Sequence, residues 1–223
     1  MTKSLLNNQI LYNTTDEVIV SLSGLNIFSI YPDAFSSQIS TLFLDLSLNR
    51  MQSLNATIFS SLTNLQVLYL AANQLSQLNP TQFGALSNLT RLSLSTNKLT
   101  TLPSGLLANL TQLQAIDLSF NQLTTLNSNT FKGLTNLAQI YLQYNKMSIV
   151  SHLFDGLTQL QILDLSFNQI YAFSANIFTG INNVNQLRIY VAGNRILSVS
   201  ETYLDKLCNG MCVISRNATS IAF

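Results

Sequence analysis

The sequence predicts an α/β solenoid, a stack of short coils with a parallel β-sheet on its concave side and loops with short 3-10 or helical turns on its convex side. Three observations carry that expectation. The stretch Leu113-Gln-Ala-Ile-Asp-Leu-Ser-Phe-Asn-Gln-Leu123, followed by Leu126 and Phe131, recurs along the chain as L-x-x-L-x-L-x-x-N-x-L-x-x-L-x-x-x-x-F. Aligning on its asparagine gives Asn49, Asn73, Asn97, Asn121, Asn145, Asn168 and Asn194, with steps of 24, 24, 24, 24, 23 and 26 residues. Just before each asparagine, inward leucines alternate with other residues, which is the period of a strand with one buried side. A unit of this length cannot bury its apolar residues alone, so neighbouring units must stack.

Residues 1–17 read as a degenerate N-terminal cap, 18–199 as an array of about eight units, and 200–223 as a C-terminal cap. Val18 to Leu22 alternates and begins the first strand; its unit carries Leu25 in the asparagine slot and Phe35 as distal anchor. The repeat from Leu65 shows the common design. Leu68 and Leu70 point inward while Val67, Tyr69 and Ala71 point outward, and Leu75, Leu78, Phe83 and Leu86 close the far side of the coil. Phe35, Phe59, Phe83, Phe131, Phe154 and Phe178, with Leu107 and Leu204 substituting, form a packed row. The loop after Asn145 is one residue short and holds the only histidine, His152; about two extra residues fall near Asn182-Asn183-Val184-Asn185. At the end, Ser198-x-x-Glu201 has capping-box form, Tyr203, Leu204 and Leu207 suit one face of a short helix, Asn209-Gly210 stops it, and Met211 to Ile214 adds an edge strand.

The asparagine sits where the chain leaves the strand and bends. Its amide both donates and accepts, so it suits backbone groups that stacking removes from water. Asn49, Asn73, Asn97, Asn121, Asn145, Asn168 and Asn194 are therefore read as a buried structural ladder.

Composition narrows the function. Charged residues are 9%, against about 25% in ordinary globular proteins, and a net charge of +1 draws the chain by bulk field to neither nucleic acid nor membrane. Hydrophobic residues are 47%, yet no apolar run approaches the roughly 18 residues of a spanning helix. No transmembrane segment is expected. Met-Thr-Lys-Ser-Leu-Leu-Asn-Asn is too short in apolar residues for a signal peptide, which leaves a cytoplasmic protein, or an extracellular or cell-surface one whose leader is missing from this chain. Cys208 and Cys212 make no disulfide framework; a local bond between them stays open. One histidine and two distant thiols make no zinc site, and no metal or cofactor is expected. Sequons at Asn13, Asn55, Asn88, Asn109 and Asn217 are as many as the Asn, Ser and Thr content yields by chance.

The 24-residue unit, seen at Leu65 to Leu86 and Leu113 to Leu134, resembles the typical class of leucine-rich repeats found in Toll-like receptor ectodomains, small leucine-rich proteoglycans and variable lymphocyte receptors. The match covers roughly residues 17–207. The resemblance implies a curved horseshoe whose concave strands often bind protein or glycan. The chain departs from those members in lacking the cysteine clusters that flank their arrays.

Outward positions follow by counting back from the asparagines. Four residues before, the row is Ser21, Asp45, Tyr69, Ser93, Asp117, Tyr141, Asp164 and Tyr190; two before, Ser23, Ser47, Ala71, Ser95, Ser119, Gln143, Ser166 and Ala192; six before, Ile19, Phe43, Val67, Arg91, Ala115, Gln139, Ile162 and Arg188. From these, Asp45, Tyr69, Arg91, Asp117, Tyr141, Gln143, Asp164, Arg188 and Tyr190 are the candidate partner-binding residues. Exposed tyrosines among serines and alanines suit protein recognition, while the aspartates also read as solvated filler of the Leu-Asp-Leu-Ser repeat. One residue after the asparagines, Arg50, Lys98, Lys146 and Arg195 alternate with Gln74, Gln122 and Gln169. That spacing keeps like charges about 10 Å apart, and reads either as avoided repulsion, as duplication of a two-repeat unit, or as a strip for a polyanionic glycan or acidic partner. Asp117 and Asp164, about 10 Å apart, stand at the outer limit of an inverting glycosidase pair with nothing to support them, so no catalytic residue is assigned. The expected function is a monomeric, non-enzymatic recognition module that binds a protein through its concave strand face, as part of a cell-surface or secreted receptor or adhesion protein, with a glycan as second partner. The alternatives are an intracellular scaffold and the targeting domain of a larger enzyme.

Overall fold

The computed structural model describes residues 10–14, 17–150, 152–173, 177, 181, 187–196 and 213–215. Its strands are β1 (Ile10–Thr14), β2 (Glu17–Ser21), β3 (Thr41–Asp45), β4 (Val67–Tyr69), β5 (Arg91–Ser93), β6 (Ala115–Asp117), β7 (Gln139–Tyr141), β8 (Ile149–Val150), β9 (Ile162–Asp164), β10 (Ala172–Phe173), β11 (Arg188–Tyr190) and β12 (Val213–Ser215). One sheet runs in the order β1-β2-β3-β4-β5-β6-β7-β9-β11-β12, and β8 and β10 form a small parallel pair in the loop flank. From β2 onward the large sheet is parallel and follows chain order, so the fold is an α/β-class solenoid of stacked coils.

Register follows the sequence period. Leu44, Leu68, Leu92, Ile116, Ile140, Leu163 and Ile189 are direct neighbours across the strands and all are fully buried. The short repeat and the long one keep this register, Ile140 facing Leu163 and Leu163 facing Ile189, so their length changes are absorbed outside the sheet. The far side of each coil packs as a phenylalanine row. Phe35 stacks on Phe59 at 6.4 Å, Phe59 on Phe83 at 6.1 Å and Phe131 on Phe154 at 6.2 Å, with buried Leu107 between the two groups.

The loop flank contains no regular helix among the described residues. Ser60 N donates to Thr57 O, Leu62 N to Phe59 O and Leu65 N to Leu62 O, which are 3-10-type bonds spaced too widely to merge into a helix. Exposed Asn64, Asn88 and Asn136 reinforce this side by donating to the preceding repeat at Ile39 O, Thr63 O and Thr111 O.

Each turn after a strand depends on the asparagine of the next unit. Asn121 Oδ1 accepts from Leu99 N at 3.0 Å, and its Nδ2 donates to Leu94 O at 2.9 Å in the preceding unit and to Leu118 O and Ser119 O in its own. The same set recurs at Asn49, Asn73, Asn97, Asn145, Asn168 and Asn194. Because the amide reaches backward, Leu25 in the first unit has no earlier turn to serve, and Asn49 satisfies that unit's Leu22 O and Ile27 N.

The bend also requires a left-handed residue just before the asparagine. Leu48, Ala72, Thr96, Phe120, Tyr144 and Phe167 all take φ between 52° and 56°, and Gly193 takes 67°. Non-glycine residues resist this conformation, so the hydrogen bonds of the ladder must hold it. Phe120, Tyr144 and Phe167 offset part of the strain by stacking face to face, each pair at 4.4 Å. Phe167 in turn lies over Gly193, where an added Cβ would meet its Cδ1 at 2.5 Å.

At one end β1 runs antiparallel to β2 and covers its edge; at the other β12 adds to β11 in parallel. The readings placed on Phe178, Asn182 to Asn185, Ser198, Glu201, Tyr203, Leu204, Leu207, Cys208, Asn209, Gly210 and Cys212 lie outside the described residues.

Asn121→Ala orphans buried groups in two adjacent units and is expected to lower unfolding free energy by about 3 kcal/mol in urea denaturation. A loss well under 1 kcal/mol would show that water replaces the amide. Gly193→Ala is expected to cost about 2 kcal/mol, through its left-handed φ and the Phe167 ring. In a Phe167→Ala background the cost should fall by roughly half, and an unchanged cost would remove the ring from the explanation.

Candidate functional site

The concave side of the sheet presents three rows in register. Asp45, Tyr69, Ser93, Asp117, Tyr141, Asp164 and Tyr190 are successive neighbours. So are Phe43, Val67, Arg91, Ala115, Gln139, Ile162 and Arg188. The third row, Ser47, Ala71, Ser95, Ser119, Gln143, Ser166 and Ala192, is joined by backbone bonds just beyond the strands, such as Phe120 N to Gln143 O and Tyr144 N to Ser166 O.

These side chains are far less exposed than the alternation implies. Tyr141 is 2% exposed, Gln143 5%, Asp117 6% and Asp164 wholly buried, while Asp45, Tyr69 and Tyr190 are half-buried. Arg91 and Arg188 are exposed. Two expectations are thereby corrected: Tyr141 is not an exposed tyrosine, and Asp117 and Asp164 are not solvated filler. The cause is the concave curvature, which brings outward side chains of successive strands, already only about 4.8 Å apart, over one another.

The aspartates also have local work. Asp45 Oδ1 accepts from Ser47 N at 2.8 Å, Asp164 Oδ1 from Ser166 N at 2.9 Å, and Asp117 Oδ1 from Ser119 N at 2.9 Å as well as from the Ser119 hydroxyl. Each carboxylate thus fastens the exit of its own strand, the physical reason behind Leu-Asp-Leu-Ser. Burial pushes the Asp117 carboxyl above its ordinary value, against the bonds from Ser119 and Ser95 that draw it down. Burial likewise raises the Tyr141 phenol, helped by the negative charges of Asp117 and Asp164 and opposed by Arg91. Tyr141 also donates to Gln139 Oε1 at 3.4 Å.

The two halves of the face differ. The first half is lined by Ile19, Phe43, Val67 and Tyr69, with the rings of Phe43 and Tyr69 edge to face at 5.4 Å. The second half gathers Asp117, Tyr141, Gln143, Asp164 and Ser166, bracketed by Arg91 on β5 and Arg188 on β11.

Outside the face, Lys98 Nζ and Lys146 Nζ each donate to the glutamine of the preceding unit, Gln74 and Gln122, at 3.3 Å. Arg50 lies over the Phe28 ring at 5.5 Å. The alternation of cations therefore matches a pairing within the array. Sequence reasoning missed the Phe120–Tyr144–Phe167 stack, although the signal Leu-Ser-Phe-Asn, Leu-Gln-Tyr-Asn, Leu-Ser-Phe-Asn was present; it lies at the bend, between the rows that alternation picks out. In the short loop, His152 bonds Asp155 at 3.0 Å beside a groove of about 610 Å³ lined by Ser128, Asn129, Lys132 and Thr135. No group of three metal-ligating side chains occurs among the described residues, and none of their helices is long and apolar enough to cross a membrane.

The raised Asp117 pKa has a signed consequence. As pH rises past 3.8, the carboxyl ionises in the unfolded chain before it does so in the folded one. Its contribution therefore favours unfolding increasingly until pH passes the folded value, and stays unfavourable above it. Asp117→Asn keeps the acceptor for Ser119, so at neutral pH it is expected to be at least as stable as the wild type, with the difference vanishing below pH 3.8. Urea titrations across pH check this, and a neutral-pH loss of stability would contradict it.

Comparison with known proteins places this geometry. The family model described as "Leucine rich repeat" matches residues 18–75, 63–123 and 111–170. Among solved structures, a TLR13–ssRNA13 complex is 36% identical over 74% of this chain and 24% of that one, with a TM-score of 0.67. The Drosophila Toll–Spatzle complex is 24% identical over 77% of this chain and 28% of that one, TM-score 0.62. The leucine-rich repeat domain of APL1B is 22% identical over 89% and 64%, TM-score 0.70. The last two likenesses speak to fold alone, and the chain spans less than two thirds of each of these proteins. No curated protein sequence matches significantly. With the family model covering most of the array and the asparagine ladder running through it, the chain belongs to the leucine-rich-repeat family.

Proposed function

We propose that this chain is a non-enzymatic recognition module that binds a protein partner through its concave strand face, as part of a cell-surface or secreted receptor or adhesion protein. The observation that carries the reading is the concave sheet itself. It is a continuous, in-register surface on which the inward residues repeat with the array while the outward ones vary from unit to unit.

Of the similar structures, one is a complex with single-stranded RNA and one a complex with the protein Spatzle. The chemistry of this face favours protein. Phosphate recognition needs several cations along a track, and among the described residues the three rows offer only Arg91 and Arg188, four strands apart with two buried carboxylates between. Phe43, Val67 and Tyr69 supply the aromatic and apolar area typical of a protein contact. Asp117 and Asp164 engage Ser119 and Ser166, a structural use that does not suit an acid–base pair.

The test compares wild-type protein with two charge and contact variants in affinity capture from tissue of the source organism. Tyr69→Ala/Arg91→Glu/Arg188→Glu is expected to retain at most about a tenth of the captured partner. Lys98→Gln/Lys146→Gln, on the flank, is expected to capture as well as the wild type. Loss in the flank variant with retention in the concave one would overturn the assignment.

A further inference from the structure

The second half of the concave face holds buried oxygens that lack hydrogen-bond partners. Asp117 on β6 is 6% exposed, and among the described residues no cation comes within ion-pair distance of it. Just past β7, Gln143 is 5% exposed and its Oε1 has no hydrogen-bond partner; beside it, past β9, Ser166 is 2% exposed and its Oγ has none. Asp164, wholly buried, adds a second carboxylate on the other side of Tyr141. Unsatisfied buried oxygens are rare in folded chains and mark a place where a missing group belongs.

The chemistry of that group is constrained. A water molecule would satisfy Gln143 and Ser166 but leave the carboxylate charge uncompensated. A divalent cation demands several oxygens at short range, and Asp117 and Asp164, two strands apart at about 10 Å, cannot share one. A group with several N–H donors, a positive charge and enough width to bridge neighbouring strands fits the acceptors. We propose that Asp117, Gln143 and Ser166 form an anchor for an arginine side chain of the protein partner, its planar fork donating to oxygens carried by neighbouring strands. Arg91 and Arg188 lie in the outer row, exposed and bracketing the anchor. This rests on the concave face being the binding face, and names the chemistry of what it receives.

The probe is N-acetyl-arginine-N-methylamide, titrated into the full chain and followed by amide shifts in proton–nitrogen NMR. Saturable shifts centred on Ser119, Gln143 and Ser166 are expected for the arginine probe. The uncharged citrulline analogue should give none. Asp117→Asn, which keeps the Ser119 bonds, and Gln143→Ala should each weaken the arginine effect about fivefold or more. Equal shifts with citrulline, or undiminished arginine binding in both variants, overturn the anchor. Failure here is separable from failure of the concave reading. If Asp117→Asn/Gln143→Ala captures the partner undiminished while Tyr69→Ala/Arg91→Glu/Arg188→Glu loses it, the face stands and the anchor does not.

Discussion

Everything in this array depends on backbone polar groups at the bend after each strand being satisfied away from water. A turn that stacks between two others loses solvent on both sides, and an unpaired buried amide or carbonyl costs about 1–3 kcal/mol. The asparagine side chain answers that need across the seam. Asn97, for example, donates to Leu70 O of the earlier unit and to Leu94 O and Ser95 O of its own, while its Oδ1 accepts from Leu75 N. Each unit is thus completed by the one that follows it. Stability accumulates between neighbours, which is the behaviour of a one-dimensional stack. The left-handed residue before each asparagine is the cost of that arrangement, carried at Leu48, Ala72, Thr96, Phe120, Tyr144 and Phe167.

Curvature follows from what fills the two flanks. Strands pack closely on one side, whereas the other must accommodate the phenylalanine row and its turns, so the sheet side becomes the inner one. That same closeness buries more than the leucines. Side chains that leave the sheet outward converge, and polar ones such as Asp117 and Gln143 become enclosed without joining the apolar core. The face is therefore a set of partly desolvated groups held on rigid strands, where charge and hydrogen bonding act more strongly than on an open surface.

Much of this was legible in the chain. The period fixed the coil, the alternation fixed which leucines face inward, and the bend position fixed the role expected of asparagine. Burial of the outward row was not legible, because alternation tells which side a residue leaves from and says nothing of how tightly that side closes. Ser21–Asp45–Tyr69 and Ser93–Asp117–Tyr141 are the same trio of cross-strand neighbours, yet Asp45 is half-buried and Asp117 nearly enclosed. The difference lies in wider surroundings, since Asp45 is one strand from the β1–β2 end and Asp117 is in mid-array. The aromatic stack escaped notice for another reason. Phe120, Tyr144 and Phe167 occupy the bend, where φ is positive and neither strand nor loop periodicity applies.

The division of the face into unlike halves then gains a physical meaning. Where Phe43 and Tyr69 meet edge to face, a ligand laid along the column finds apolar area, which contributes affinity with little demand on orientation. Where Asp117, Gln143 and Asp164 lie under cover, it finds groups that reward only donors placed at the right depth. Retaining a carboxylate at 6% exposure lowers the stability of the isolated array, as the upward push on the Asp117 carboxyl registers. The ladder and the leucine core, repeated in every unit, supply enough stability to tolerate that deficit. The repeated interior thus leaves the outward rows free to differ, and in this chain the difference takes the form of a desolvated acidic patch beside an aromatic one.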